Sequence, residues 1–277
     1  MDGGLLPSYS LLAAASQTLG GSTVAIACAI LGALFLGACF GSFANACALR
    51  LVRNEDFIRM KSRCRMCELP LKPWENVPII GYLMLRGRCS CSKFVLPLRY
   101  LLLEIITGLI VLGYAIFMPP IMAIGFSIAA IFIIISFLTD LDAMVLHPSL
   151  LTILGGLGLG LATTSHTGLF YWHITWQEAA AATLLGAVMP FTINKIYLVL
   201  RGKNGFGEGD FWLLAAIGAW IGPIGVVTVF FGAAFLGAIT GISLIVIRKA
   251  SLGSKLPFGL FLSVVFILCS NLYMLLN

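Results

Sequence analysis

Gly207-Glu208-Gly209-Asp210 stands between a short basic segment, Arg201 to Lys203, and a long apolar run that begins Phe211-Trp212-Leu213-Leu214. A carboxylate there is costly, because even lenient insertion scales charge roughly 2.5–3.5 kcal/mol for an ionised group at membrane depth. Such groups usually have a functional reason. The two flanking glycines let the backbone turn tightly and let another chain come close, and they leave Asp210 at the mouth of a helix rather than in its interior. A plainer role is open too, in which Asp210 only caps the helix from Phe211 onward. The triplet Asp140-Leu141-Asp142 favours the first reading, in which the rest of the chain is a membrane scaffold presenting Asp210 to a partner carboxylate.

The composition agrees with a scaffold of that kind. Hydrophobic residues make up 60% of the 277 and charged residues 10%, with a mean hydropathy of +1.04. Soluble domains carry about a quarter charged residues, so the chain reads as an all-α polytopic membrane protein. Residues 1–22 have no basic leader region, and the apolar run after them is too long for a signal-peptide core, so it is expected to remain as a span. Apolar stretches fall at 23–49, 100–118, 120–139, 149–164, 177–200, 211–222, 224–247 and 257–275, which gives about eight transmembrane helices. The stretches 149–164 and 211–222 are shorter than the ~17–25 residues of a perpendicular span. They are expected to be re-entrant or to continue into neighbouring segments.

Charge orients the bundle. Of the 17 Lys and Arg residues, 11 lie between Arg50 and Arg99; the others are Lys195, Arg201, Lys203, Arg248, Lys249 and Lys255. Eight spans with the N-terminus outside put all of them on one side, which the positive-inside rule makes cytoplasmic. Asp140 and Asp210 then both sit at cytoplasmic ends of spans. The chain divides into an N-terminal segment with the first span (1–50), a cytoplasmic cysteine-rich insertion (51–99) and a membrane core (100–277).

The insertion holds Cys64-Arg65-Met66-Cys67 and Cys89-Ser90-Cys91. Paired cysteines on two turns are a usual way to build a tetrahedral zinc site, and a cytoplasmic disulfide is disfavoured. The second pair, CxC, is tighter than the ordinary spacing, and four free thiols are the plainer alternative. Metal would help so short a polar segment to fold. Cys28, Cys39, Cys47 and Cys269 lie in apolar runs and are expected to pack as small hydrophobes. Glu104 can partner a cytoplasmic Arg or serve a site. His147 follows Asp142 closely, while His166 and His173, with Tyr171 and Trp172, suit an aromatic belt on the far side.

The run from Gly202 to Gly222, with Gly207-Glu208-Gly209-Asp210 inside it, resembles the GxGD segment of bacterial type IV prepilin peptidases. Gly41-Ser42-Phe43-Ala44-Asn45 with Arg50, Trp74-Glu75-Asn76-Val77-Pro78, Leu85-Arg86-Gly87-Arg88-Cys89, and Arg99-Tyr100 with Glu104 resemble further blocks of that family in the same order. The likeness covers about residues 37–277. The sequence departs from the family at Cys89-Ser90-Cys91, where CxxC is usual, and at Leu146-His147-Pro148-Ser149, where a Leu-Pro-Asp stretch is usual.

The resemblance implies a bifunctional enzyme of the bacterial inner membrane. It would cut the basic leader from prepilins or pseudopilins of type IV pilus and type II secretion systems, at a Gly–Phe-type junction on the cytoplasmic side. It would then N-methylate the new amino terminus with S-adenosylmethionine. The family's motif aligns Asp140, not Asp142, with the first catalytic acid and Asp210 with the second. Two neighbouring carboxylates resist joint ionisation, so one can activate water while the other polarises the scissile carbonyl. By resemblance the cysteine segment serves methyl transfer, with Gly87 and Arg88 as the first positions to test and Cys64, Cys67, Cys89 and Cys91 as the zinc ligands. There is no Rossmann-type glycine loop for the methyl donor, and nothing points to nucleic acid. A proton-coupled transporter could also carry Asp140 and Asp210 as a relay, but no internal repeat supports it. A structural anchor for a zinc domain would leave the paired acids idle.

Overall fold

The computed structural model describes residue 10 and residues 23–55, 71–90, 95–164, 173–247 and 256–276. Among the described residues the regular elements are helical: α1 (Thr23–Val52), a 3-10 turn (Pro73–Asn76), α2 (Ile80–Met84), α3 (Leu98–Phe117), α4 (Pro120–Ala143), α5 (Pro148–Thr163), α6 (Trp176–Arg201), α7 (Glu208–Val246) and α8 (Phe258–Leu276). Five of them, α1, α3, α4, α6 and α7, are long and apolar enough to cross a membrane, and α5 and α8 are shorter apolar helices. Large apolar side chains face outward, as Val199 at 85% and Ile224 at 84% exposure show. Water would penalise such a surface, and lipid would not.

The chain divides into two compact units, residues 1–135 with Asn277 and residues 136–276. In the first, α1 and α3 approach through small residues, as expected where lipid gives no hydrophobic drive between helices. A Cβ on Gly37 would fall 2.7 Å from the Thr107 carbonyl, and one on Gly41 would fall 2.8 Å from its hydroxyl.

In the second unit α7 is the central helix. Gly158 of α5 lies against Trp220, whose indole N–H donates to the Leu154 carbonyl at 2.9 Å. Gly186 of α6 lies against the Leu214 backbone, and Gly232 of α7 against Val265 of α8. Leu213, Leu214, Ile217 and Trp220 are fully buried in consequence. The stretches 211–222 and 224–247 are two helical segments joined at Gly222, where the backbone leaves the helix (φ 72°, ψ −178°), and they fold back on each other, since the Phe206 ring ahead of the first lies 5.9 Å from Phe230 in the second. Pro223 has no N–H for the Ala219 carbonyl, which makes this the place where the helix breaks. His173 bonds to the backbone of Trp220 beside that break.

Cap chemistry fixes the helix ends. Thr175 and Glu178 form a reciprocal capping box at the start of α6: the Glu178 N–H donates to Thr175 Oγ1 at 3.3 Å and the Thr175 N–H to Glu178 Oε2 at 2.8 Å. Gly202, at φ 69°, closes the other end with its N–H on the Leu198 carbonyl. Cys47 is buried, Cys39 and Cys269 are half-buried, and Cys28 is exposed on α1, so Cys28 does not pack as a core hydrophobe. His166, Tyr171 and Trp172 lie outside the described residues.

Candidate active site

Asp140 lies in the last turn of α4 and Asp210 in the first turn of α7. Both are in the second unit, and they are 4% and 7% exposed. An ionisable pair is buried only where bonds compensate for lost water. Asp210 Oδ2 accepts the Gly207 N–H at 3.0 Å, so the side chain does cap its own helix. It also faces Asp140 closely enough for the two to interact electrostatically. One side chain therefore both caps its own helix and faces a second acid.

The partner of Asp140 comes from the far end of the chain. The Leu260 N–H donates to Asp140 Oδ2 at 2.8 Å, and the neighbouring Gly259 amide interacts with both carboxylates. These are orphan amides of the first turn of α8, the helix end that attracts negative charge. A Cβ on Gly259 would fall 3.0 Å from Asp140 Oδ2 and 2.9 Å from Leu146 Cδ1. Leu146 covers the other acid's helix as well, for a Cβ on Gly209 would fall 2.7 Å from its own Cβ. The strap that carries Leu146 starts at Met144, which sits at φ 52° with its N–H on the Asp140 carbonyl. His147 ends the strap, its Nδ1 buried without a hydrogen-bond partner.

Asp142, two residues beyond Asp140, is exposed and outside this arrangement. The sequence alone missed Gly259, Leu260 and Leu146. Backbone amides leave little trace in a sequence, but Pro257-Phe258-Gly259 ahead of an apolar run is a helix-start signal that points to them.

The first unit has its own polar cluster, on a different set of motifs. Glu104 of α3 accepts the Ile79 N–H at 2.7 Å and a hydrogen bond from Ser42 of α1. Ile79 is at φ 61°, a costly conformation for a β-branched residue. Glu104 thus ties its own block to Ser42 of another and to Ile79, the residue after a third.

Beyond α2, Gly87 sits at φ 67°, with its N–H on the Tyr82 carbonyl and its own carbonyl accepting from Leu96. A Cβ there would fall 3.0 Å from the Tyr82 hydroxyl, so the turn favours glycine. Arg88 follows it and lines a cavity of about 670 Å³ together with Lys72, Trp74, Glu75, Arg86 and Cys89. The Lys72 ammonium lies 5.7 Å over the Trp74 ring. Ser90 Oγ donates to Glu75, and this bond, with a further one from the Lys72 N–H, holds the Glu75 carboxyl below the usual carboxylate range. Cys89 is buried, whereas Cys64, Cys67 and Cys91 lie outside the described residues. Among the described residues no group of three or more metal-binding side chains comes together.

Comparison with known proteins places both halves. The bacterial peptidase A24 N-terminal domain matches residues 35–118, and the type IV leader peptidase family matches residues 126–242. A prepilin leader peptidase/N-methyltransferase of Pseudomonas putida is 31% identical over 76% of this chain and 71% of its own. Proteins of the same description from Neisseria gonorrhoeae (29% identical, 75% of this chain and 69% of the relative) and Stutzerimonas stutzeri (29%, 85% and 88%) are also similar. No solved structure matches. On the strength of these matches, this chain belongs to the type IV leader peptidase family.

Proposed function

We propose that this protein removes the leader peptide of type IV prepilins and pseudopilins by an aspartyl mechanism, with Asp140 and Asp210 as the catalytic pair, and then N-methylates the new amino terminus. The observation that carries the reading is the burial of both carboxylates at helix ends, where the Gly259 amide reaches both and the Leu260 N–H donates to Asp140. A pair sharing one proton has a carboxylate that can take a proton from water and a carboxylic acid that can polarise the scissile carbonyl. After attack, the proton passes to the leaving amine. Glycines at 207, 209 and 259 add no side chain of their own beside the acids, and Leu146 packs against two of them.

Methyl transfer belongs to the cavity beside Gly87 and Arg88. S-adenosylmethionine, when bound, would supply an electrophilic methyl: the free amine takes it up and loses a proton as the S–CH3 bond breaks and the sulfonium leaves as the thioether S-adenosylhomocysteine. The residues present suit it. Trp74 offers a ring face that already holds the Lys72 cation, the kind of surface on which a sulfonium is attracted or a base stacks. Arg88, Arg86 and Lys72 suit a carboxylate, and Glu75 suits hydroxyl or amino groups. Gly87 sets the turn from which Arg88 reaches the cavity.

Cys64, Cys67, Cys89 and Cys91 would hold a structural zinc in the cytoplasmic segment 51–99, between the first span (1–50) and the peptidase core (100–277). The inward burial of Cys89 supports that placement. The protein then sits in the bacterial inner membrane with its N-terminus outside and both acids toward the cytoplasm, serving type IV pilus or type II secretion assembly.

The test is to incubate purified protein with a prepilin peptide and read product masses. Leader loss reports cleavage and a further methyl reports the second activity. Asp140→Asn and Asp210→Asn should each abolish cleavage without additive loss in the double variant, while Asp142→Asn keeps most of it. Full activity in either of the first two overturns the aspartyl assignment. A dead Asp142→Asn with a live Asp140→Asn reverses the choice between them.

A further inference from the structure

Asn194 lies buried in the last third of α6, at 9% exposure. Burying an amide is unfavourable unless its hydrogen bonds are made. Those of Asn194 all go to one place. Its Oδ1 accepts the N–H of Gly205 at 2.8 Å and of Phe206 at 3.1 Å, and its Nδ2 faces Asn204 Oδ1 at 3.5 Å. Three successive residues of the α6–α7 loop are thereby held by one side chain.

That loop leads to both acids. The next residue, Gly207, donates its N–H to Asp210 Oδ2 at 3.0 Å. The Phe206 ring lies 5.0 Å from Phe258 and 5.9 Å from Phe230, centroid to centroid. Phe258 opens α8, and the two residues after it supply the amides that serve Asp140. One loop therefore reaches Asp210 through Gly207 and Asp140 through Phe206 and Phe258. Aromatic pairs at this separation have preferred geometries, so a shift of Phe206 is passed to the start of α8.

We propose that Asn194 is a positioning residue for peptide-bond cleavage: by fixing residues 204–206 it holds Asp140 and Asp210 at their working separation. The proposal rests on the reading of these two acids as the cleaving pair. A merely structural Asn194 would satisfy the same loop amides and matter only for stability, so the two roles differ in what they do to the rate.

The experiment measures kcat and KM for cleavage of a prepilin peptide. Alongside, methyl transfer to a synthetic peptide that already starts at the mature residue and the thermal midpoint are followed. Displacing reacting groups by about 1 Å can cost about a hundredfold in rate. Asn194→Ala should accordingly lower kcat by about tenfold to a hundredfold, leaving KM and methyl transfer near the wild-type values. Asn194→Asp keeps oxygen acceptors for Gly205 and Phe206 and should recover most of kcat. Phe206→Leu, which leaves those bonds in place but removes the ring contact, should lower kcat in the same selective way.

Wild-type kcat in Asn194→Ala overturns the proposal. So does loss of cleavage, methyl transfer and thermal midpoint together in both Asn194 variants, which marks a structural role. Should Asn194→Ala fail to fold, Phe206→Leu decides, and wild-type kcat there overturns it. Asp210→Asn, run in parallel, separates the two levels. An active Asp210→Asn removes the catalytic reading, whereas a dead one beside a fully active Asn194→Ala removes only this inference.

Discussion

The Leu260 backbone N–H donates to Asp140 Oδ2 at 2.8 Å, across 120 residues of sequence. The first turn of the last helix is thus part of the acid site. Amides there are fixed donors that need no side chain, so they orient a carboxylate without adding a competing titratable group.

Gly259→Ala tests that arrangement directly. The added methyl would stand 2.9 Å from Leu146 Cδ1, which can turn aside, and 3.0 Å from Asp140 Oδ2, which the Leu260 N–H holds in place. Cleavage should lose about tenfold to a hundredfold in kcat, with methyl transfer kept. Wild-type cleavage by Gly259→Ala would mean that the amides of α8 do not set the position of Asp140.

A second expectation concerns pH and lies away from the chemistry. Burial pushes His173 down to about 4, against the opposing bond to the Trp220 backbone and the nearby Glu178. In the unfolded chain the ring titrates near its ordinary value of about 6.5. Between these values the unfolded state binds more protons, so stability is complete above about pH 6.5 and is lost as pH falls toward 4. The contribution is at most about 1.4 kcal/mol per pH unit within the window. Thermal midpoints of the solubilised protein from pH 4.5 to 7.5 should fall on acidification, and His173→Gln should flatten the slope. An equal slope in the variant would assign the acid sensitivity to other groups.

Much of this architecture is legible in the sequence because membrane helices advertise themselves by length and apolarity. Asp140 and Asp210 stood out since a carboxylate in such a run is costly. Other features left weaker traces. Glu104 reads either as a partner for Arg or as a site residue, and nothing in the sequence points to the Ile79 N–H that it accepts, a bond no side-chain pattern encodes. Asn194, in the apolar run Phe191 to Leu200, carried a signal of the same kind as the aspartates. Its role became visible only when the loop folded back on it.

The cysteine segment gives a third expectation. If Cys64, Cys67, Cys89 and Cys91 share a metal, the purified protein should contain about one zinc per chain, and Cys64→Ser should lose it along with protease resistance of residues 51–99. Cleavage should survive at a reduced rate, because both acids belong to the other unit. Chelators should leave peptide cleavage running, since the proposed mechanism activates water with carboxylates and not with a metal. Metal-free protein with full methyl transfer would assign the order of the segment to its apolar and turn contacts instead.

The last expectation separates the two activities. Trp74, Glu75 and Arg88 line one cavity in the first unit, while Asp140 and Asp210 belong to the second. Trp74→Ala removes the face over which Lys72 lies, and an exposed cation–π contact is worth only about 0.5–1 kcal/mol, so the fold should tolerate the change. A stacked methyl donor would lose more, because the ring supplies both area and charge complementarity. Trp74→Ala and Arg88→Ala should each raise the KM for S-adenosylmethionine by about tenfold or more, the loss expected of a contact worth about 1.4 kcal/mol, with leader cleavage unchanged. Gly87→Ala acts differently: it strains the turn at φ 67° and crowds the Tyr82 hydroxyl, so it should lower methyl transfer together with the thermal stability of the first unit. Equal loss of both activities in Trp74→Ala would show that the cavity serves the fold or the peptide rather than the methyl donor. Unchanged methyl transfer in both Trp74→Ala and Arg88→Ala would move the donor site elsewhere.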